Sequence, residues 1–381
     1  MVSAGLTRRA VLGGALSGLP LLRTGAAEIA VTDMAGRAVA LKRAPERIVL
    51  LDARDAVSMA LFVRAPMERV AGWAGLDGLD SDALLAALKA AAGRDVPILG
   101  SMAPGSISAE AIIALRPDLI VTTRQVEGAN ADVSAQLSAW GLPVLFSDTS
   151  SNAGRGGGDD LPALLRMWGR VLGEEARAEA LIAFIASGMA QVQACLAGQP
   201  QRKVYLELQS TYEECCWAAG REVWGALLAQ AGGRSLDAVT APWFQKLHVE
   251  QLVVEQPDLY IASGGAFARG TRPAIAPGLP LDEARAGLRK LVARPGLDLL
   301  AAVEANRVAG VWTGLVAIRP LNRLFVERVA AWLHPQACRA LDPGQTLRAL
   351  NERFLAVPIA MPVWADLMGP DTLMGPDKKT L

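Results

Sequence analysis

Histidine is scarce in this chain, whose 381 residues include only His248 and His334. Zinc and manganese sites need several imidazole and carboxylate ligands that converge on one ion. His248 directly precedes a predicted helix and His334 precedes a proline, so neither context indicates a metal ligand. The same scarcity leaves no evident Ser/His/Asp set, and a Cys/His pair would depend on one of these two residues. We therefore expect no metal site, no cofactor and no catalytic residues.

The chain also has no net charge at neutral pH. Lysine and arginine total 38, as do aspartate and glutamate. This balance indicates no polyanionic partner, and we expect no nucleic acid to bind. The length predicts two or more domains with ample core.

Beyond residue 27 we expect no uncharged apolar segment of membrane-spanning length, and the run near the start is short. Residues 10–22 are apolar, too few to span a bilayer, and they follow the pair Arg8-Arg9. Small residues at 25–27 suit cleavage, so residues 1–27 are predicted to be an export signal of the twin-arginine type, with general secretion as the alternative. No cysteine is present there for a lipid anchor. The mature chain, starting near Ala27 or Glu28, is predicted to be exported and soluble.

Cysteine is sparse as well, with Cys195, Cys215, Cys216 and Cys338. Export permits disulfides, but their connectivity cannot be read from the sequence. The adjacent pair therefore leaves two interpretations open. The cysteines are structural, either buried or disulfide-bonded, or Cys215 and Cys216 form a redox or metal-binding pair.

One long helix is predicted over residues 174–196, about 35 Å in length. Gly173 and two glutamates suit its start, and Gly198 and Pro200 suit its end. Its apolar residues recur at the spacing of a single helical face, at Leu181, Ile182, Ile185, Met189, Val192 and Leu196. This helix divides the chain into two parts that resemble each other.

The resemblance between the two parts is clearest in residues 106–123 and 246–263, which match at an offset of 140 residues. Each copy is predicted to be a short helix, a Pro-Asp turn and an apolar strand. The matched residues are Glu110 with Glu250, Pro117 with Pro257, and the Asp-Leu pair that follows each proline. Two similar lobes joined by one rigid helix are the simplest interpretation.

Strands and helices alternate throughout both parts, which is typical of α/β layering. A turn at Ala35-Gly36 predicts a hairpin. Continuous apolar runs such as residues 47–51 are typical of buried parallel strands. Other strands are predicted at 69–72, 98–100, 119–123, 143–146, 203–208, 258–262 and 307–311, with helices at 224–231 and 288–291. The predicted fold class is α/β, with two α/β lobes of mostly parallel sheets bridged by a single long helix.

Several motifs, in this order around the long helix, resemble the class III periplasmic substrate-binding proteins of ABC importers for iron–siderophores, haem and cobalamin. The motifs are VTDMAGR (31–37), PERIV (45–49), LRPDLIV (115–121), LSAWGLPV (137–144), AGG (231–233) and QPDL (256–259), together with Glu110 and Glu250. The resemblance covers roughly residues 29–335. The chain departs from the pattern at Cys215-Cys216, at a glycine-rich loop (154–158) and at its long C-terminal end.

The resemblance implies a soluble periplasmic monomer that captures a metal chelate, an iron–siderophore complex first of all, and delivers it to a membrane permease dimer. Cobalamin and haem are the alternatives within the family. The implied divisions are an export signal (1–27), an N-terminal lobe (28–160), a linking helical segment (161–198), a C-terminal lobe (199–356) and a flexible tail (357–381).

Ligands of open α/β sheets lie outside the carboxyl ends of the strands, so candidate ligand-binding residues follow predicted strands. Arginine pairs with carboxylate or hydroxamate oxygens, and tryptophan supplies rigid apolar area. The candidates are Arg54, Trp73, Arg124, Tyr212, Trp312 and Arg319, with Asp52, Gln125 and Gln209 beside them. The resemblance to cobalamin binders adds Trp243 and Phe244. Each arginine is equally consistent with a surface ion pair, and each tryptophan with core packing.

Glu110 and Glu250 are each predicted in the first turn of a short helix, where the helix dipole alone stabilises a carboxylate. The family resemblance implies that they dock to arginines of the two permease subunits.

An exported enzyme acting on a metal chelate is the alternative from another class. The glycine-rich loop at 154–158 imitates a phosphate-binding turn, but Asp159 and Asp160 would repel phosphate, so a linker is the better interpretation. A third possibility is a signalling partner of an outer-membrane receptor that binds no ligand.

Overall fold

The computed structural model describes residues 1–2, 28–130, 133–148, 150–151, 154–155 and 160–368. Nearly all of the predicted export signal and the last part of the predicted tail therefore lie outside the described residues. So does most of the glycine-rich loop.

The first lobe is built around a parallel sheet with strand order β4-β3-β5-β6. β3, β4 and β5 are buried along their whole length, because helices cover both faces of the sheet, and this explains their continuous apolar sequences. The elements are β1 (Ile29–Thr32), β2 (Ala38–Leu41), β3 (Ile48–Leu50), α1 (Arg54–Ala60), β4 (Val70–Trp73), α2 (Asp82–Ala92), α3 (Ala109–Ala114), β5 (Leu119–Thr123), α4 (Arg124–Ala129), α5 (Val133–Ala139), β6 (Val144–Asp148), β7 (Ser150–Ser151), β8 (Gly154–Arg155) and α6 (Leu161–Leu172). The predicted hairpin is confirmed, since β1 pairs antiparallel with β2.

The connecting helix α7 (Glu175–Leu196) confirms the central prediction. Its buried face packs against α6 and the later helix α13 (Asn322–Leu333). Within this face Gly188 lets the Arg323 guanidinium lie against the helix backbone, in space that a Cβ would fill. Among the described residues, α7 is the one helix that is long and apolar enough to cross a membrane. The sequence had predicted no such segment beyond residue 27. The buried face is typical of a helix in a globular protein.

The second lobe contains a mixed sheet with order β12-β10-β9-β13-β14-β15, and β11 lies beside β9. The central strands β9, β13 and β14 are parallel, whereas β10, β12 and β15 are antiparallel. The remaining elements are β9 (Arg202–Glu207), β10 (Trp217–Ala219), α8 (Val223–Gln230), β11 (Gly233–Ser235), β12 (Phe244–Lys246), α9 (Val249–Glu255), β13 (Leu259–Gly264), α10 (Leu281–Val292), α11 (Ala301–Glu304), β14 (Val308–Trp312), α12 (Gly314–Ala317), α14 (Pro343–Arg353) and β15 (Trp364–Asp366). The predicted fold class is confirmed, with antiparallel strands added in the second lobe.

Short 3₁₀ turns connect several of these elements. They cover Pro66–Arg69, Leu76–Leu79, Leu297–Leu299 and Arg319–Leu321. The turn at Leu76–Leu79 and the turn at Arg319–Leu321 both contribute to the region between the lobes.

The internal repeat has a structural basis in the aspartate of each Pro-Asp turn. Asp118 accepts a hydrogen bond from the backbone N–H of Arg47 at 2.9 Å, beside the start of β3. Asp258 accepts one from the backbone N–H of Lys203 at 2.8 Å, in β9. Each aspartate therefore connects its helix–strand unit to the neighbouring strand of its own lobe, so the two copies are structurally equivalent.

Two predictions about chain segments are wrong. Residues 98–100 do not form a strand, and only an isolated bridge joins Ile98 to Trp73. The tail is not flexible from residue 357, because Val357, Ile359 and Val363 are buried and β15 pairs with β14. The Met-Gly-Pro-Asp repeat predicts a flexible segment only from residue 368 onward, and the apolar residues before it are packed.

The cysteines form two disulfides, Cys195–Cys338 and Cys215–Cys216. The first ties the end of α7 to the segment after α13. The bonded sulfurs of Cys215 and Cys216 are not available as thiolate ligands, which opposes the metal-binding interpretation of this pair.

Candidate ligand-binding site between the lobes

A small cavity between the two lobes is lined by residues from both, with a volume of about 30 Å³. The first lobe contributes Asp52, Arg54 and Asp55 after β3, with Asp148 at the end of β6. The second lobe contributes Arg319 and its neighbours, which follow β14 and α12. We call this the interlobe cavity. It lies at the carboxyl ends of the first lobe's strands, as the α/β architecture predicts.

Arg54 is held by Asp52 on the floor of this cavity. Its Nε lies 2.8 Å and 3.0 Å from the two carboxylate oxygens of Asp52, and a terminal nitrogen donates to Gln125 at 3.2 Å. Burial opposes the charged form of Arg54, but the Asp52 carboxylate more than compensates, so the pKa of Arg54 is raised. The arginine therefore stays charged and is oriented by a bidentate partner.

Asp55 is a buried carboxyl that the sequence interpretation missed. The Ser147 hydroxyl lies 2.7 Å from Asp55 Oδ2 and 3.2 Å from the carbonyl oxygen of Thr122. Burial, together with the nearby Asp52 carboxylate, raises the pKa of Asp55 well above its ordinary value. In the sequence, only the position of Asp55 directly after Arg54, in the first turn of a helix that follows a strand, could have indicated its role.

We expect Asp55→Asn to stabilise the protein at neutral pH relative to the wild type. A carboxyl whose pKa is raised by folding binds more protons in the native state, so stability is lost as pH rises from the unfolded pKa, about 3.9, through the folded value. The asparagine variant escapes this loss. Thermal unfolding measured from pH 4 to pH 8 should show a stability difference that grows with pH. The exposed Asp298→Asn serves as control, and a difference independent of pH would contradict the assignment.

Arg319 is the counterpart of Arg54 from the second lobe. Its guanidinium lies 3.9 Å from Asp148 Oδ1, and its side chain is 11% exposed. The structure thus brings together two arginines that the sequence predicted separately, one from each lobe. It adds Asp148 and Asp55, which were not predicted.

Trp73 and Trp312 do not line this cavity, contrary to expectation. Both are fully buried, and the Trp312 indole N–H lies 3.2 Å from the carbonyl oxygen of Leu79 and 3.1 Å from that of Asp80. Each tryptophan is the last residue of its strand rather than the first residue after it. Core packing therefore accounts for both side chains.

Arg124 and Tyr212 lie near strand ends but outside the interlobe cavity. Arg124 is exposed, with its guanidinium 5.3 Å from the centre of the Phe146 ring. Tyr212 packs against α10, where Lys290 Nζ lies 4.1 Å from its ring centre. Its backbone N–H donates to the Thr271 carbonyl at 2.8 Å, and burial raises the pKa of its hydroxyl.

Trp243 and Phe244 lie at the edge of the second sheet. Phe244 pairs with Ala219 and Lys246 pairs with Trp217 in the antiparallel strands β10 and β12. Because β10 runs antiparallel to β9, the Lys246 end lies nearer to the carboxyl end of β9. Neither aromatic residue is among those that line the interlobe cavity.

Glu110 and Glu250 are exposed in the first turns of α3 and α9, as predicted. Glu110 accepts a hydrogen bond from the Ser108 hydroxyl at 2.9 Å. Hydrogen bonding to its own backbone N–H, and then to Ser108, lowers the pKa of Glu110. Both carboxylates are therefore available on the surface of equivalent elements.

Across the part of the chain that the structure describes, one set of three potential metal ligands is close enough to hold an ion: Glu207, Cys215 and Cys216. The two cysteines are bonded to each other, and Arg294 binds both oxygens of Glu207, at 3.1 and 2.7 Å. These donors are already engaged, so the set does not fit a metal ion.

Comparison with known proteins gives a consistent result. The profile of the family described as "Periplasmic binding protein" matches residues 91–311, more than half of the chain. No curated protein sequence matches.

Solved structures share the fold. The TroA-like periplasmic binding protein FepB from Veillonella parvula has a TM-score of 0.73 and 22% identity over 89% of this chain and 99% of its own. The molybdate periplasmic binding protein MolA of Haemophilus influenzae, bound to molybdate, has a TM-score of 0.64 and 14% identity over 85% and 97%. An ABC-type Fe³⁺-hydroxamate transport system structure from Saccharomonospora viridis has a TM-score of 0.57 and 22% identity over 80% and 98%. At these identities the likeness concerns the fold.

The family is a class of solute-binding proteins rather than enzymes, and its members are typically exported to the periplasm. Two α/β lobes joined by one long helix agree with this family in architecture as well as in sequence. The chain therefore belongs to the periplasmic binding protein family.

Proposed function

We propose that this protein captures a metal chelate, an iron–siderophore complex, between its lobes and delivers it to an ABC permease in the inner membrane. The observation that carries the proposal is the interlobe cavity, to which each lobe contributes one arginine, Arg54 and Arg319. A guanidinium pairs through its planar fork with carboxylate or hydroxamate oxygens of a chelator. A ligand between the lobes would therefore contact both of them.

The size of the interlobe cavity requires the lobes to separate before such a ligand binds. Its volume of about 30 Å³ suits a single water molecule, whereas sites for organic ligands occupy roughly 300–1,000 Å³. The single helix α7 bridges the lobes and restricts their movement. We infer a modest opening about α7 rather than a wide hinge motion.

The charges in the interlobe cavity favour a chelate over a free oxyanion such as molybdate. Asp52 and Asp148 accompany the two arginines, and their carboxylates repel an oxyanion. An enclosed metal ion avoids this conflict, because the chelator presents its own organic surface and the protein recognises shape and hydrogen-bonding groups. The related Fe³⁺-hydroxamate structure supports the same ligand class.

Tryptophan fluorescence titration tests the proposal. We expect quenching by ferric ferrioxamine B or ferric citrate with no chemical turnover, and none by molybdate. Titrations with haemin and cyanocobalamin test whether the ligand is instead haem or cobalamin. Turnover of a chelate would indicate an enzyme. Absence of binding to every chelate would contradict the proposal.

Arg319→Gln should lower the affinity for the bound chelate by roughly 10- to 100-fold, the value of one hydrogen bond to a charged group. Calorimetry at one ionic strength measures the change. Arg348→Gln is the matched control, because Arg348 lies in α14, is largely exposed and pairs with Asp342. Equal effects of the two variants would show that Arg319 does not contact the ligand.

A further inference from the structure

The carboxylate of Asp80, a residue of the first lobe, is bound by three donors of the second lobe. Asp80 follows β4 and the 3₁₀ turn Leu76–Leu79. One carboxylate oxygen accepts a hydrogen bond from the backbone N–H of Phe267 at 2.8 Å. The other accepts from the Thr313 hydroxyl at 2.8 Å and lies 3.1 Å from the Arg272 guanidinium. We call these three donors the Arg272 cradle.

The Arg272 cradle is shaped for a carboxylate. Gly265 forms its wall, and a Cβ there would lie about 2 Å from the Asp80 carboxylate atoms, so only glycine leaves the necessary space. Arg272 Nε is buried and has no hydrogen-bond partner among the described residues. A guanidinium commonly binds a carboxylate through two parallel N–H groups, so the cradle offers one donor more than Asp80 uses.

The location of the Arg272 cradle is that of a ligand site. Phe267 follows β13 and Thr313 follows β14, so the donors lie at the carboxyl ends of parallel strands. On the first-lobe side, a Cβ at Gly78 would lie 3.6 Å from Arg54 Nε, so the turn before Asp80 borders the interlobe cavity. The Phe267 side chain is 66% exposed beside the cradle, an apolar surface for the organic part of a ligand.

We propose that the Arg272 cradle is a subsite for a carboxylate group of the ligand, and that Asp80 is an intramolecular competitor which the ligand displaces. The inference rests on the proposed function and deepens it, because it selects chelates with a free carboxylate. Citrate-type siderophores and the propionates of haem share this chemistry. Exchange of one carboxylate for another keeps the buried guanidinium paired while the lobes open.

The competitor model makes a prediction that a purely structural interlobe tie does not make. Asp80→Asn removes the charge that pairs with Arg272, and asparagine tolerates the left-handed backbone of this residue, φ 48°. If the cradle is occupied by Asp80 most of the time, removing that competition raises the apparent affinity for carboxylate chelates, roughly tenfold. A structural tie would instead lose stability without any change in ligand preference.

Calorimetric titration of the full-length protein with three probes tests the inference. Ferric citrate and haemin carry carboxylates, whereas ferric ferrioxamine B has none and serves as the matched chelate. We expect Asp80→Asn to bind a carboxylate probe about tenfold more tightly, and Arg272→Gln to bind it at least tenfold more weakly. Neither variant should change the affinity for ferrioxamine B by more than about twofold. Whichever carboxylate probe responds identifies the source of the carboxylate.

Asp77→Asn is the control, since Asp77 is exposed in the same turn and accepts a hydrogen bond from the backbone N–H of Met102 in its own lobe. Thr313→Val added to Asp80→Asn removes one donor of the cradle with little change of shape, and should weaken carboxylate binding relative to Asp80→Asn alone. If Asp80→Asn does not fold, the comparison of Arg272→Gln with the wild type across the three probes decides the inference. Parallel changes for all three probes, or none in any variant, would overturn the inference while leaving the proposed function intact. Failure of every probe to bind would instead overturn the proposed function, and this inference with it.

Discussion

Reversal of Glu110 and Glu250 to lysine together is expected to reduce transport roughly a hundredfold or more while ligand affinity stays unchanged. Both glutamates are exposed in the first turn of equivalent helices, one in each lobe. If they dock to arginines of the two permease subunits, two lysines place like charges at that interface, which is strongly unfavourable. The double variant should be worse than either single one.

The measurement is uptake into reconstituted vesicles, with affinity determined separately by calorimetry. Lysine at a helix start faces the positive end of the dipole, so thermal unfolding must first show that each variant is folded. The exposed pair Glu68 and Glu304, again one from each lobe, provides the matched double reversal and should leave uptake near the wild-type rate. Normal uptake by the Glu110/Glu250 variant would disprove docking through these residues. Loss of ligand affinity would place them in the binding site instead.

Replacing Arg294 with methionine is expected to cost about 3–5 kcal/mol of folding free energy, because it leaves a buried carboxylate without its cation. Arg294 and Glu207 are 5% and 1% exposed and form a two-pronged ion pair. Tyr205 donates to Glu207 at 3.0 Å, and Tyr260 donates as well. Burial, and then the Glu207 charge, raises the pKa of both tyrosines, so their hydroxyls stay protonated.

Chemical denaturation of three variants tests this account. The double variant Glu207→Leu/Arg294→Met should be less destabilised than Arg294→Met alone, since it removes both charges from the core. Arg348→Met breaks an exposed pair with Asp342 and should cost no more than about 1 kcal/mol. A loss below about 1 kcal/mol for Arg294→Met would show that the remaining hydrogen bonds satisfy Glu207 without the guanidinium.

Residues that act on near neighbours in the chain were interpreted correctly. The apolar spacing within α7 predicted its limits to within one residue, because one helical face is determined by residues three or four apart. The strands of the first sheet followed from continuous apolar runs. The repeat around Pro117 and Pro257 predicted two equivalent units, and each aspartate after these prolines does indeed bind a neighbouring strand.

Placement of the candidate site was predicted only in part. Arg54 and Arg319 were selected because they follow strands, and the structure brings both to one cavity. The same rule failed for Trp73 and Trp312, because each is the last residue of its strand and its side chain is fully buried. No local sequence pattern identifies Asp55 or Asp80 as a site residue, because the side chains that they contact lie far away in the chain.

The sequence by itself therefore determined the α/β class, the division into two similar lobes and the single helix between them. These depend on periodicity and turn residues, which are local properties of the chain. Only the tertiary structure decided that Asp80 of one lobe lies in the Arg272 cradle of the other, and that Trp364–Asp366 add a strand to the second sheet. Such contacts depend on how the packed layers meet, and the free energy of that packing involves residues that no local pattern connects.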